Sequence, residues 1–139
     1  MLTIYIYQKC STCRNAIQWL EANHVPFQTK AIRDTPPSIL ELENALQHHQ
    51  GDMRKLFNTS GIDYRALQLK DKLPFMSPHE AMQLLHQNGN LVKRPFLITP
   101  HTTLLGFKPE VWKEQLQPLT WNPTSEKPED AETPIPKQR

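Results

Sequence analysis

The sequence predicts an α/β fold: a mixed four-stranded sheet with an all-helical segment inserted between its halves. Three observations carry this prediction. A strand–helix–strand pattern opens the chain, capped helical segments fill residues 38–88, and a strand pair with a closing helix follows from residue 96.

The elements follow in order. Leu2, Ile4 and Ile6 alternate with Thr3, Tyr5 and Tyr7, a period of two in β-branched and aromatic residues that predicts a strand. After Cys10 the spacing changes. Ser11 or Thr12 can cap a helix on which Cys13, Ala16, Ile17 and Leu20 recur, ending near Asn23. Val25 to Ile32 reads as a second strand, parallel to the first because a helix connects them. Pro36 and Pro37 stop it. Ser38 with Glu41 forms a capping box for a helix bearing Ile39, Leu42, Ala45 and Leu46, which ends before Gly51. Met53, Leu56 and Phe57 predict a further helical segment, and Tyr64 and Leu67 a short turn. Ser77, Pro78 and Glu80 make a second capping box, with Ala81, Met82, Leu84 and Leu85 behind it and Gly89 as the stop. Phe96 to Thr99 and Thr103 to Phe107 predict an antiparallel hairpin around Pro100-His101. Pro109 then opens a helix with Val111, Trp112 and Leu116. Residues 1–116 are one domain in this reading. Residues 117–139 hold five of the thirteen prolines and little apolar content, which predicts a disordered tail.

Composition narrows the function classes. The 139 residues are 37% hydrophobic, enough for one compact core. No apolar run approaches the ~20 residues of a spanning helix, so no membrane association is expected. Met1 to Tyr5 lacks the basic and apolar regions of an export signal, and a cytoplasmic location is the expectation. Sixteen Lys+Arg against fourteen Asp+Glu give a net charge of +2, too balanced for the basic stripe of a direct nucleic-acid binder. Nothing in the sequence demands more than a monomer.

The two cysteines, Cys10 and Cys13, carry the chemistry. They stand in a C-x-x-C spacing at a predicted strand–helix junction. Two cysteines are too few for a secreted disulfide scaffold. A redox pair, half a zinc site, two inert thiols and a spent redox scaffold kept for binding are the alternatives. Completing a zinc site takes two of His24, His48, His49, His79, His86 and His101, and none has the paired H-x₃₋₅-H spacing. The redox reading has a specific basis. Backbone N–H groups at a helix start favour a thiolate at Cys10, Lys9 and Arg14 flank it, and Cys13 lies one turn on, where a resolving thiol is needed. Cys10 is expected to be exposed, Cys13 buried.

The element order, with C-x-x-C at the first junction, is the plan of a thioredoxin-like fold. In that plan Pro95 precedes the third strand as a cis-proline, and Arg94 projects toward the Cys10 sulfur to stabilise a thiolate or hold an oxyanion. A trans proline and a solvated arginine are the alternatives. His48-His49 reads as a surface feature at a helix end, and Asn58, Thr59 and Ser60 as candidate polar contacts for the active face.

The sequence resembles the arsenate reductase and Spx-type proteins of bacteria over residues 2–116. The resemblance rests on Tyr7 to Asn15, Pro36-Pro37-Ser38, Phe57 to Gly61, Lys93-Arg94-Pro95 and Gly106-Phe107-Lys108. It implies a nucleophile at Cys10 and an oxyanion-binding role for Arg94. Two further arginines of true arsenate reductases map onto Asn58 and Phe107 and are absent. That loss removes most of the charge-assisted hydrogen bonding a dianion needs. Cys13 adds an internal resolving thiol, so the resemblance implies thiol–disulfide exchange, on a thiol or disulfide substrate, before strict arsenate reduction. No cofactor is implied; glutathione, a glutaredoxin or a thioredoxin is the expected reductant. The Spx branch implies an alternative, a redox-switched regulator that binds the RNA polymerase α-subunit near Gly51-Asp52.

Overall fold

The computed structural model describes residues 1–116; the predicted tail, 117–139, lies outside the described residues. Its order is β1 (Leu2–Ile6), α1 (Ser11–Ala22), β2 (Phe27–Ala31), α2 (Ile39–His48), α3 (Ile62–Ala66), α4 (Leu69–Lys72), α5 (Pro78–Gln87), β3 (Phe96–Ile98), β4 (Thr103–Leu105) and α6 (Pro109–Leu116). Single 3-10 turns occupy Met53–Leu56, Leu73–Phe75 and Gly89–Leu91. The sheet order is β2-β1-β3-β4. β1 pairs in parallel with β2 (Ile4 opposite Thr29) and antiparallel with β3 (Ile4 opposite Leu97), and β3 pairs antiparallel with β4. The mixed sheet with helices between its halves is the predicted fold.

The central strand is buried on both faces. Tyr5 and its register partner Phe96 meet edge to face at 5.8 Å and join Leu42, Ala45, Phe57, Tyr64, Met82, Leu85 and Val92 in one core cluster. On the opposite face Ile4, Leu97 and Leu104 are buried in register. By contrast, β2 is an edge strand exposed along Gln28 to Ala31, so only the flanking Val25 and Ile32 of the predicted Val25–Ile32 strand are buried. Both capping boxes form. Ser38 accepts from the Glu41 N–H and Glu41 from the Ser38 N–H, and Ser77 and Glu80 repeat the arrangement. Glu41 Oε1 also accepts the Tyr5 hydroxyl at 2.7 Å. Together, burial and this carboxylate push the Tyr5 phenol upward.

Four expectations are corrected. Phe57 leaves the helical segment predicted for it and forms an isolated antiparallel bridge with Val92, flanked by Asn58 N–H to Leu91 carbonyl at 2.7 Å and Lys93 N–H to Leu56 carbonyl at 2.8 Å. The His48-His49 pair is not merely a surface feature. His48 Nδ1 lies 3.2 Å from Thr103 Oγ1 and His49 Nε2 lies 2.8 Å from the Thr103 carbonyl, tying the end of α2 to β4. Val111 is exposed, leaving Trp112 and Leu116 as the buried face of α6. The start of α1 differs too: Cys10, rather than Ser11 or Thr12, occupies the capping position, because its carbonyl accepts from the Arg14 N–H at 3.1 Å.

Two compact units make up the described residues. The first, Met1–Ile17 with Phe27–Phe107, contains the whole sheet and the inserted helices. Gly89 is pinned there, because a Cβ on it would stand 1.8 Å from the Ile32 carbonyl oxygen. Of the described residues, the second unit joins Gln18–Pro26 to residues 108–116, and Trp19 meets Trp112 edge to face at 6.0 Å within it. Among the described residues no helix is long and apolar enough to cross a membrane.

Candidate functional site

The site is built where β1 hands over to α1. A tight turn closes with the Cys10 N–H on the Tyr7 carbonyl at 3.0 Å, and the helix starts immediately after it. At the capping position, the Cys10 sulfur receives the backbone N–H groups of Cys13 and Thr12, the donors a helix leaves unsatisfied in its first turn. It also receives the Cys13 thiol. Burial opposes ionisation of Cys10 most strongly, yet these three hydrogen bonds and the Arg94 guanidinium together hold its pKa below the ordinary thiol value. Cys10 is half-buried and Cys13 fully buried. Burial pushes the Cys13 thiol up to about 12; its hydrogen bond to Cys10 and the neighbouring thiolate act in the same direction, against the Tyr7 backbone N–H and Arg94. The pair therefore has one acidic, reachable sulfur and one protonated, sheltered sulfur.

Arg94 comes to this sulfur from the other end of the core. The Arg94–Pro95 bond is cis, the expected state, and the Pro95 carbonyl is held by the Gly106 N–H at 2.9 Å. Arg94 is half-buried. Its Cζ lies 5.0 Å from the centre of the Tyr7 ring, and its Nη1 is buried without a hydrogen-bond partner among the described residues. An unsatisfied buried N–H costs about 1–3 kcal/mol, a deficit that an anion at this position removes.

The remaining sequence-predicted residues fall elsewhere. Arg14 donates through Nη1 to the Gln8 carbonyl at 3.1 Å, and Lys9 is exposed. Neither is among the groups that shift Cys10; the field at that sulfur comes from backbone donors, Cys13 and Arg94. Asn58 is engaged in its own turn. Its carbonyl accepts from the Gly61 N–H at 3.0 Å, and its side-chain nitrogen would stand 2.8 Å from a Cβ on Gly61. Among the described residues no group of three or more His, Cys, Asp or Glu is placed to hold a metal ion.

Sequence reasoning missed two residues. Tyr7 contributes a backbone N–H to Cys13, a carbonyl to Cys10 and a ring to Arg94. Arg33 places its Cζ 4.7 Å from the centre of the same ring. The parallel register, which sets Ile6 beside Ala31, brings Arg33 to Tyr7, and composition gives no signal of it.

Comparison with known proteins bears on the family and the fold. The ArsC family model matches residues 5–115. The chain is 42% identical over 113 residues to the "Uncharacterized protein YusI" of Bacillus subtilis, covering 81% of this chain and 96% of that protein. It is 29% identical over 108 residues to the "Global transcriptional regulator Spx" of Enterococcus faecalis, covering 77% and 80%. A crystal structure described as "a possible arsenate reductase" from Streptococcus mutans superposes with a TM-score of 0.73 at 41% identity, covering 78% of this chain and 92% of that one. With the family pattern matched across nearly all of the described residues, on a thioredoxin-like sheet whose first helix starts at the C-x-x-C, this chain belongs to the ArsC family.

Proposed function

We propose that the protein is a thiol–disulfide oxidoreductase in which Cys10 attacks and Cys13 resolves. The observation that carries the reading is the division of labour within the pair: Cys10 is held below the ordinary thiol range at the helix start, and Cys13 is pushed up to about 12 behind it. The Cys10 thiolate displaces one sulfur of a substrate disulfide, forming a mixed disulfide and releasing a thiolate that takes a proton. Charge leaves Cys10 in that step, which removes one of the causes holding the Cys13 proton. Cys13 then gives its proton to solvent and attacks the Cys10 sulfur, expelling the second substrate thiol and closing the Cys10–Cys13 disulfide. An external thiol, glutathione or a glutaredoxin or thioredoxin, returns the pair to its reduced form. The reading needs no metal or bound cofactor and suits a monomer in a reducing cytoplasm.

The test is the pH dependence of Cys10 alkylation together with turnover of a glutathione mixed disulfide. An apparent pKa clearly below ~8.5, loss of exchange in Cys10→Ser and accumulation of mixed disulfide in Cys13→Ser are the expected results. Ordinary thiol reactivity with no exchange overturns the reading. Strict arsenate reduction ranks lower because Asn58 and Phe107 supply no guanidinium where the resemblance calls for two. Arsenate turnover equal to that of authentic reductases reverses the ranking.

A second reading draws support from the Spx relative. Gly51, exposed and open around its Cα, sits in the corner that the resemblance assigns to polymerase contact. The test is capture of the C-terminal domain of the RNA polymerase α-subunit by the reduced and the oxidised protein. Capture that changes with oxidation of the pair favours a regulator; equal, negligible capture in both states favours the catalyst.

A further inference from the structure

We propose that Arg33 and Arg94 form a two-guanidinium clamp around Tyr7 that selects disulfides bearing a free carboxylate. The inference rests on the thiol–disulfide reading and adds a substrate class to it. Tyr7 emerges from the end of β1, where the Ile32 N–H binds the Ile6 carbonyl at 2.9 Å and carries the following residue, Arg33, alongside. Both guanidiniums stand within 5.0 Å of the centre of the Tyr7 ring. Neither hydrogen-bonds to, or pairs with, a carboxylate among the described residues. Two like charges gathered on one ring are held by its quadrupole, and their combined field favours an anion. The planar fork of each guanidinium matches a carboxylate.

The two arginines differ in their relation to sulfur. Arg94 acts on both thiols, whereas Arg33 acts on neither. A compact tetrahedral oxyanion at Cys10 engages Arg94 alone. An extended organic disulfide reaches both, with its sulfur at Cys10 and its carboxylate against Arg33. Arg33 is thus a specificity residue and takes no part in the electron transfer.

With reduced thioredoxin as the electron donor and its direct reaction subtracted, the experiment compares glutathione disulfide, which carries carboxylates, with 2-hydroxyethyl disulfide, which is neutral, on the wild type, Arg33→Gln and Arg33→Lys. Arg33→Gln is expected to raise KM for glutathione disulfide about tenfold with kcat held, the order of one charge-assisted contact. KM for the neutral disulfide stays put, which also shows that the variant is folded, and the pH profile of Cys10 alkylation does not move. Arg33→Lys recovers part of the loss. If both KM values rise together, or neither rises, the clamp is overturned. If the wild type reduces neither disulfide, the catalytic reading fails instead. Equilibrium binding of glutathione disulfide to the wild type and Arg33→Gln then decides the clamp: a tenfold loss keeps it, and equal affinity removes it.

Discussion

Cys13 is held protonated by its surroundings, and that fixes the sign of a pH effect. Its native pKa lies above the unfolded value, so its contribution to stability is complete below about pH 9 and is lost as pH rises toward about 12. Tyr5 is raised as well and acts in the same direction at still higher pH. Cys10 has the opposite sign: its contribution is present above the unfolded thiol pKa and is lost as pH falls through the depressed native value. In urea titrations the wild type is expected to lose stability relative to Cys13→Ala between pH 8 and pH 10, because only the wild type carries the Cys13 contribution that alkali removes while both keep that of Cys10. Arg94→Gln removes one of the causes lowering Cys10 and is expected to shift its alkylation profile upward in pH, slowing the reaction at neutrality. At this scale the sequence revealed much of the site. A C-x-x-C after a strand and an arginine before a proline are local patterns. Arg33 and the ring of Tyr7 were not legible, because their meeting depends on strand register, and the flanking charges of Lys9 and Arg14 were overvalued because sequence adjacency says nothing of direction.

The helices illustrate how one signature can carry unequal weight. Ser38 and Ser77 cap α2 and α5 in the same way, and each Ser→Ala change is expected to cost about 1 kcal/mol. The glutamates differ. Glu80 serves its own cap, whereas Glu41 also accepts the Tyr5 hydroxyl from β1. Glu41→Ala is therefore expected to destabilise by about 1 kcal/mol more than Glu80→Ala in chemical denaturation, since it strands a buried hydroxyl. Equal losses would show that Tyr5 finds another acceptor. Both boxes were legible because Ser, Glu and proline act within four residues. The 3-10 turns were not, because Met53, Leu56 and Phe57 have helical spacing but Phe57 is drawn away by its bridge to Val92.

For the molecule as a whole, close approach at Gly89 joins the end of the insertion to the chain just after β2. Gly89→Ala drives a methyl into the Ile32 carbonyl and is expected to cost about 3 kcal/mol or more, measured by thermal unfolding. Gly51→Ala meets nothing within 4 Å and suffers only its left-handed backbone at φ +76°, about 1 kcal/mol. The strand–helix–strand opening and the later hairpin were readable from alternation and turn residues. The burial of Tyr5 was not, since a central strand covered on both faces loses the polar side that alternation relies on. The Phe57–Val92 bridge has a consequence for divergence. The chain from Thr59 to Asn90 departs and comes back through one doorway, latched by main-chain bonds that ask little of side-chain identity. Drift within α3 and α4, where Ile62 is 75% and Phe75 is 90% exposed nearby, can rewrite what the protein touches while the sulfur chemistry stays as it is. Docking preference and reactivity are in this way free to evolve apart.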